Sequence, residues 1–125
     1  MTTAKELDRV RFVRHNNKEV LLVDLSSCSP AEVDRLVRIV PVIVTAQPLH
    51  SVLILTDFTG SSFDEEALRA IKETAVFDKA HVKKSALVGT SSLPHGFYDV
   101  MKNYARRDFS KFNTREDAVT WLTAE

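Results

Sequence analysis

The stretch SVLILTDFTGSSFDEEALRAIKE, residues 51–73, decides how the rest of the chain is read. Val52 to Leu55 is an apolar run too short for a helix, which makes it a buried strand. Gly60, Ser61 and Ser62 are turn formers, and Asp64 is placed to cap a helix that opens on Glu65 and Glu66. Leu68, Ile71 and Ala75 then recur at helical spacing and face inward, while Glu65, Arg69 and Glu73 are spaced for exposed i,i+4 pairs. Strand, polar loop and helix form the unit of an open α/β sheet, where ligands and partners meet the protein beyond the carboxyl ends of the strands. The loop is therefore the first candidate surface for a partner, through Asp57, Thr59, Ser61, Ser62, Asp64 and Glu66.

Upstream, Arg9 to Arg14 (RVRFVR) alternates charge with Val10, Phe12 and, one step out of phase, Val13, as a half-exposed strand does. His15-Asn16-Asn17-Lys18 is a turn and Glu19 to Leu25 a more buried strand, so the pair forms an antiparallel hairpin. Ser29-Pro30-Ala31-Glu32 joins an N-cap, a proline at the first helical position and a capping-box glutamate. Val33, Leu36, Val37, Val40 and Val44 continue as one apolar stripe. Pro41 falls inside that pattern, where it removes a hydrogen bond and is expected to kink the helix, at a cost of roughly 3 kcal/mol without compensation. Ile39, Val42 and Ile43 lie off the stripe. Residues Ile39, Val40, Val42, Ile43 and Val44 thus make this half apolar nearly all round, and its second cover is a second subunit, an apolar ligand or the aromatic helix near Phe97.

Downstream, Ser85 to Gly89 reads as a short buried strand, and Phe97, Val100, Met101 and Tyr104 mark a third helix. Asp108 to Phe112 is an edge-like strand, and Thr114 caps a last helix that Trp121 and Leu122 dock onto the core. The element order β-β-α-β-α-β-α-β-α predicts an α/β fold with a mixed five-stranded sheet, the first strand antiparallel and the rest mainly parallel with right-handed crossovers. No linker or repeat divides residues 1–125, so a single domain is expected.

Composition narrows the function by exclusion. Hydrophobic residues make up 44% and charged residues 27% of 125 positions, ordinary values for a globular domain. Seventeen basic residues balance seventeen acidic ones, so no general attraction draws the chain to nucleic acid or an anionic membrane. The single Cys28 excludes an internal disulfide and fits a reducing compartment. The opening Met1-Thr-Thr-Ala-Lys-Glu has no signal-peptide core and no run reaches membrane-span length, so a cytoplasmic location without stable membrane insertion is expected. His15, His50, His81 and His95 lie in four separate loops or element edges without metal-ligand spacing. Cys28 reads as a small buried hydrophobe, three glycines make no phosphate-cradling loop, and Lys83-Lys84 reads as a solvated strand edge. No catalytic, cofactor or metal constellation is visible, and no cofactor is expected.

The element order resembles the anti-sigma-factor-antagonist (STAS) fold and its Sec14-like relatives. Leu55-Thr-Asp-Phe-Thr-Gly60, Phe63-Asp-Glu-Glu-Ala-Leu68, Val82-Lys-Lys-Ser-Ala-Leu-Val-Gly89, Arg107-Asp-Phe109, Phe112-Asn-Thr-Arg-Glu-Asp-Ala118 and Trp121-Leu122 resemble the small bacterial STAS/SEC14 domain-containing, SpoIIAA-like proteins more closely. The resemblance implies a SpoIIAA-like mixed sheet and a partner-binding loop after the third strand. True antagonists carry an Asp-Ser-Ser-Gly-like pattern there, with one serine phosphorylated by the partner kinase. Here the stretch is Asp64-Glu65-Glu66-Ala67: the aspartate stays, carboxylates replace both hydroxyls, and alanine replaces glycine. The carboxylates either mimic a permanently phosphorylated loop or, as first-turn acids commonly do, complement the helix dipole.

The resulting expectation is a non-enzymatic STAS-like interaction or regulatory module, homodimeric, lacking the phosphorylatable serine. The Sec14 side of the resemblance implies an alternative, a domain holding a small apolar or lipid-like ligand among Val40, Val44, Phe97 and Met101. An enzyme built on Asp57, Asp64 and a histidine ranks last.

Overall fold

A computed structural model describes residues 3–124. The hairpin closes through Asn16 and Asn17, whose φ angles of 50° and 64° give the two-residue turn that matches the natural twist of paired strands. β1 (Val10–His15) thereby pairs antiparallel with β2 (Lys18–Asp24), with Phe12 opposite Leu21 and Val13 opposite Val20. The chain then alternates through α2 (Pro30–Val44), β3 (Val52–Asp57), α3 (Glu65–Phe77), β4 (Val82–Val88), α4 (Phe97–Ala105), β5 (Ser110–Phe112) and α5 (Arg115–Thr123). Sheet order is β1-β2-β3-β4-β5, and every pairing after the hairpin is parallel. The fold is α/β with a mixed five-stranded sheet, as the element order predicts.

Right-handed crossovers that advance one strand at a time put their helices on one face. α2, α3 and α4 therefore cover Leu21, Val23, Ile54 and Leu87, while α5 crosses the other face over Val20, Leu22, Leu53, Leu55, Ala86 and Val88. Ala118 and Leu122 are the buried anchors of α5, and Trp121 lies half-buried with its ring 5.4 Å from that of Phe112. Lys84 reaches under the same helix, donating its Nζ to the carbonyls of Trp121 at 3.1 Å and Ala124 at 3.3 Å. Those carbonyls lie in the last turn and beyond, where intrahelical donors run out, so Lys84 caps a helix end.

Several local readings need correction. A short helix, α1 (Ala4–Leu7), precedes the hairpin and is held by a Thr3–Glu6 capping box, a T-x-x-E signal the chain displays openly. β4 starts at Val82 rather than Ser85, because its first residues continue to pair with Val52 and Leu53 through a register shift. Arg69 pairs with Glu66 at 2.7 Å, three residues away, rather than with the expected partners Glu65 and Glu73 four residues away. On α4 only Phe97 and Met101 of the four marker residues are buried; Val100 and Tyr104 face outward.

α2 shows how a proline is kept inside a helix. Its stripe Val33, Leu36, Val37, Val40 and Val44 is buried, and the helix runs through Pro41 as one element. Pro41 has no N–H to give the carbonyl of Val37, four residues before it. The Thr74 hydroxyl of α3 donates to that carbonyl instead, at 3.3 Å. The proline thus turns an intrahelical bond into a bond between helices, which fixes the register of α2 against α3. Thr74→Val should cost about 1 kcal/mol, the usual net value of such a bond. In a Pro41→Ala background the new N–H can serve Val37, and the same substitution should cost clearly less. Urea unfolding of the four proteins in this cycle measures both costs, and equal costs would contradict the account.

Candidate functional site

β2 and β3 lie side by side in parallel, with Asp24 opposite Asp57 at their carboxyl ends. Both aspartates are followed by the same local pattern: a buried apolar residue, then a hydroxyl (Asp24-Leu25-Ser26 and Asp57-Phe58-Thr59). Ser26 donates its N–H and hydroxyl to Asp24 Oδ1 at 3.0 and 2.5 Å. Thr59 donates the same two groups to Asp57 Oδ1 at 2.9 and 2.6 Å. These side-chain turns bend the chain out of each strand while the middle residue enters the core.

Two carboxylates at adjacent strand ends repel unless a cation stands between them. Arg115, the first residue of α5, supplies it, with Nε 2.7 Å from Asp57 Oδ2 and Nη2 2.9 Å from Asp24 Oδ1. Arg9 completes the row at 3.7 Å from Asp24 and donates to the carbonyl of Ser26 at 2.8 Å. Burial pushes both aspartate carboxyls up, but the donors of Ser26 and Thr59, together with Arg115, outweigh it and hold both below the ordinary value. Burial raises the thiol of Cys28 despite nearby Arg9, which leaves it protonated and a poor nucleophile.

The loop beyond β3 is fastened on both sides. Toward β2, Ser27 donates its N–H to the carbonyl of Thr59 at 2.8 Å, Ser62 to that of Cys28 at 2.9 Å, and the Ser61 hydroxyl bonds the carbonyl of Leu25. Toward β4, Gly60 donates its N–H to the Ser92 hydroxyl at 2.9 Å. Gly89, at φ 74°, sits so close that an added Cβ would lie 2.4 Å from the nitrogen of Thr59. Asp64 caps α3 by accepting the N–H of Ala67 at 2.8 Å.

The six loop candidates therefore divide. Thr59, Ser62, Asp64 and Glu66 are exposed. Asp57, 5% exposed, and Ser61, 8%, point inward and belong to the frame of the loop rather than to its outer face. The candidates on α2 divide too: Val40 and Val44 are core, Ile39 and Ile43 pack partly against it, and Val42 alone is open, at 72%. His81 is held by its Nδ1 2.8 Å from the carbonyl of Gln47, and His15, His50 and His95 are exposed. Among the described residues no group of three histidines, cysteines or carboxylates could hold a metal ion. Asp24, Arg9 and Arg115 escaped the sequence reading; the repeated Asp-apolar-hydroxyl pattern after two apolar runs is the signal that marks Asp24.

A second polar group lies under α3 and α4. Arg107 Nη1 meets Asp78 at 2.5 Å and the carbonyl of Ala75 at 2.9 Å, and its Nη2 donates to the Ser85 hydroxyl at 2.7 Å. Burial pushes the carboxyl of Asp78 up against the pull of Arg107. The pair borders a cavity of about 60 Å³ whose apolar wall includes Val40, Ile54, Phe58 and Met101. Of the four residues proposed to hold an apolar ligand, Val40 and Met101 line it.

Comparison of the chain with family models, curated proteins and solved structures returns no match. No helix among the described residues is long and apolar enough to cross a membrane.

Gly89 tests how rigidly the loop is built. Gly89→Ala forces a side chain onto a left-handed backbone and into the Thr59 backbone, and should cost about 2–3 kcal/mol. Urea denaturation reads this directly; a loss under about 0.5 kcal/mol would show that the loop yields freely.

Proposed function

We propose that this chain is a non-catalytic, STAS-like interaction module that offers the loop after β3 and the first turn of α3 to a protein partner. One observation carries the reading. The loop is tied to its neighbours by main-chain and hydroxyl bonds, the carboxylates behind it are neutralised by Arg115, and its exposed face is polar and acidic. A surface fixed in advance loses little conformational entropy on docking, which favours recognition. Catalysis would instead need a base with a free lone pair beside a nucleophile. Asp57 is engaged with Thr59 and Arg115, and Asp64 with the helix start it caps. On the STAS resemblance Glu65 and Glu66 correspond to the phosphorylated stretch of true anti-sigma antagonists, and their exposed carboxylates favour a partner with basic side chains.

A smaller observation favours the Sec14-like alternative, since the cavity walled by Val40 and Met101 is apolar with Arg107 at its edge. Its volume of about 60 Å³ is far below the roughly 300–1,000 Å³ of ordinary ligand pockets, so this reading stands second.

The test compares affinity capture from the native cells by the wild type and by Glu65→Lys/Glu66→Lys. Both positions are exposed, and an unchanged unfolding midpoint will show that the variant folds. A partner retained by the wild type and lost by the variant is expected. Identical captured sets, or turnover in a broad activity screen, would overturn the proposal.

A further inference from the structure

Far from the loop, the outer faces of α2 and α3 enclose an open groove of about 400 Å³. Val42 and Phe77 line it, each 72% exposed, among the most exposed large apolar side chains among the described residues. Pro41 also lines it, and Arg38 of α2 and Glu73 of α3 stand on opposite walls. Large aliphatic and aromatic groups left this open, side by side, mark a surface that is covered in use.

The arrangement is self-complementary. α2 and α3 both return against parallel strands, so they run in the same direction, and the bond from Thr74 to the Val37 carbonyl fixes their register. Arg38 precedes Val42 by four residues on α2, and Glu73 precedes Phe77 by four on α3, so each wall carries a charge one turn above an apolar residue. The charges have opposite sign, and Arg38 already holds Asp34 of its own helix at 2.9 Å, so the partner's Glu73 would share it. A two-fold axis running along the groove lays α2 of one copy over α3 of the other, setting Arg38 against the partner's Glu73 and Val42 against the partner's Phe77.

We infer that this groove is the contact between two copies of the chain, related by a two-fold axis parallel to α2 and α3. Seventeen basic and seventeen acidic residues leave no net repulsion between identical chains, and the opposite charges of Arg38 and Glu73 on the two walls favour a second copy as the cover. The size of the face sets the strength. The lining residues occupy about two turns of each helix, roughly 11 Å by 20 Å, on the order of 220 Å² per copy and 450 Å² in all, well below an interface of standard size. The dimer is therefore weak and concentration-dependent. It leaves the acidic loop free, because the groove lies in the second half of each helix, toward the amino ends of the strands.

Sedimentation velocity across a concentration series tests this. The wild type should pass from one to two chain masses as concentration rises into the high micromolar range, and Phe77→Glu, at an exposed position, should remain monomeric with an unchanged unfolding midpoint. Arg38→Glu and Glu73→Arg should each raise the dissociation constant about tenfold or more, and the double variant should recover most of the loss. Overturning results are a monomeric wild type throughout, or a dimer that Phe77→Glu leaves intact. Single charge reversals that the double variant fails to rescue would overturn the parallel two-fold arrangement.

Discussion

Asp24 and Asp57 stand next to each other at the ends of two central parallel strands, and the site depends on how that juxtaposition is made tolerable. Ionised neighbours of like sign in a partly dry setting need a cation within contact distance. Arg115 provides it from the first residue of α5, and in doing so ties the helix on one face of the sheet to the strand ends that launch the loops on the other. Arg9 extends the row to the start of the hairpin. Four segments distant in sequence thereby meet in one alternating line of charge.

That line serves as a foundation more than as an active centre. Each aspartate spends its remaining capacity on the hydroxyl and N–H two residues on, so the chain leaves each strand in one direction only. The loop from Phe58 to Asp64 rests on this base, with Gly89 and Ser92 closing it from β4. What reaches solvent is an acidic helix start held by the fold. The same economy appears in α2, where the bond that Pro41 cannot make is supplied by Thr74 and becomes a link between helices.

The frame was legible in the sequence because its signals are local. Two asparagines at a two-residue turn, Ser29 to Glu32 as a capping box, Asp64 as a cap and short apolar runs each act within a few residues. The α2 stripe could be listed residue by residue for the same reason. Arg115 looked like any residue in a first helical turn; only the tertiary crossing of α5 over β2 and β3 gives it two aspartate partners. Thr74 likewise acquires its role from α3 lying beside Pro41. Asp57 and Ser61 are recognisable as part of the loop, but nothing local reveals that their hydrogen-bond partners lie inward. The apolar excess of Ile39 to Val44 was real, yet period alone left open that the core absorbs all of it except Val42.

The most direct measurement is the stability of Arg115→Met against wild type as a function of pH. The side chain of Arg115 is 40% exposed and that of Asp57 7%, so the loss at neutral pH should fall between that of surface and buried pairs, about 2 kcal/mol. Both aspartate carboxyls are lowered in the folded state, so their contribution is complete above the unfolded aspartate value of 3.8 and fades as pH falls through the lower folded values. The gap between the two proteins should therefore be full at neutral pH and close as pH falls below 3.8 and the carboxylates are protonated. A gap that stays constant as the carboxylates are protonated, or no gap at neutral pH, would contradict the claim that this arginine holds the strand ends together.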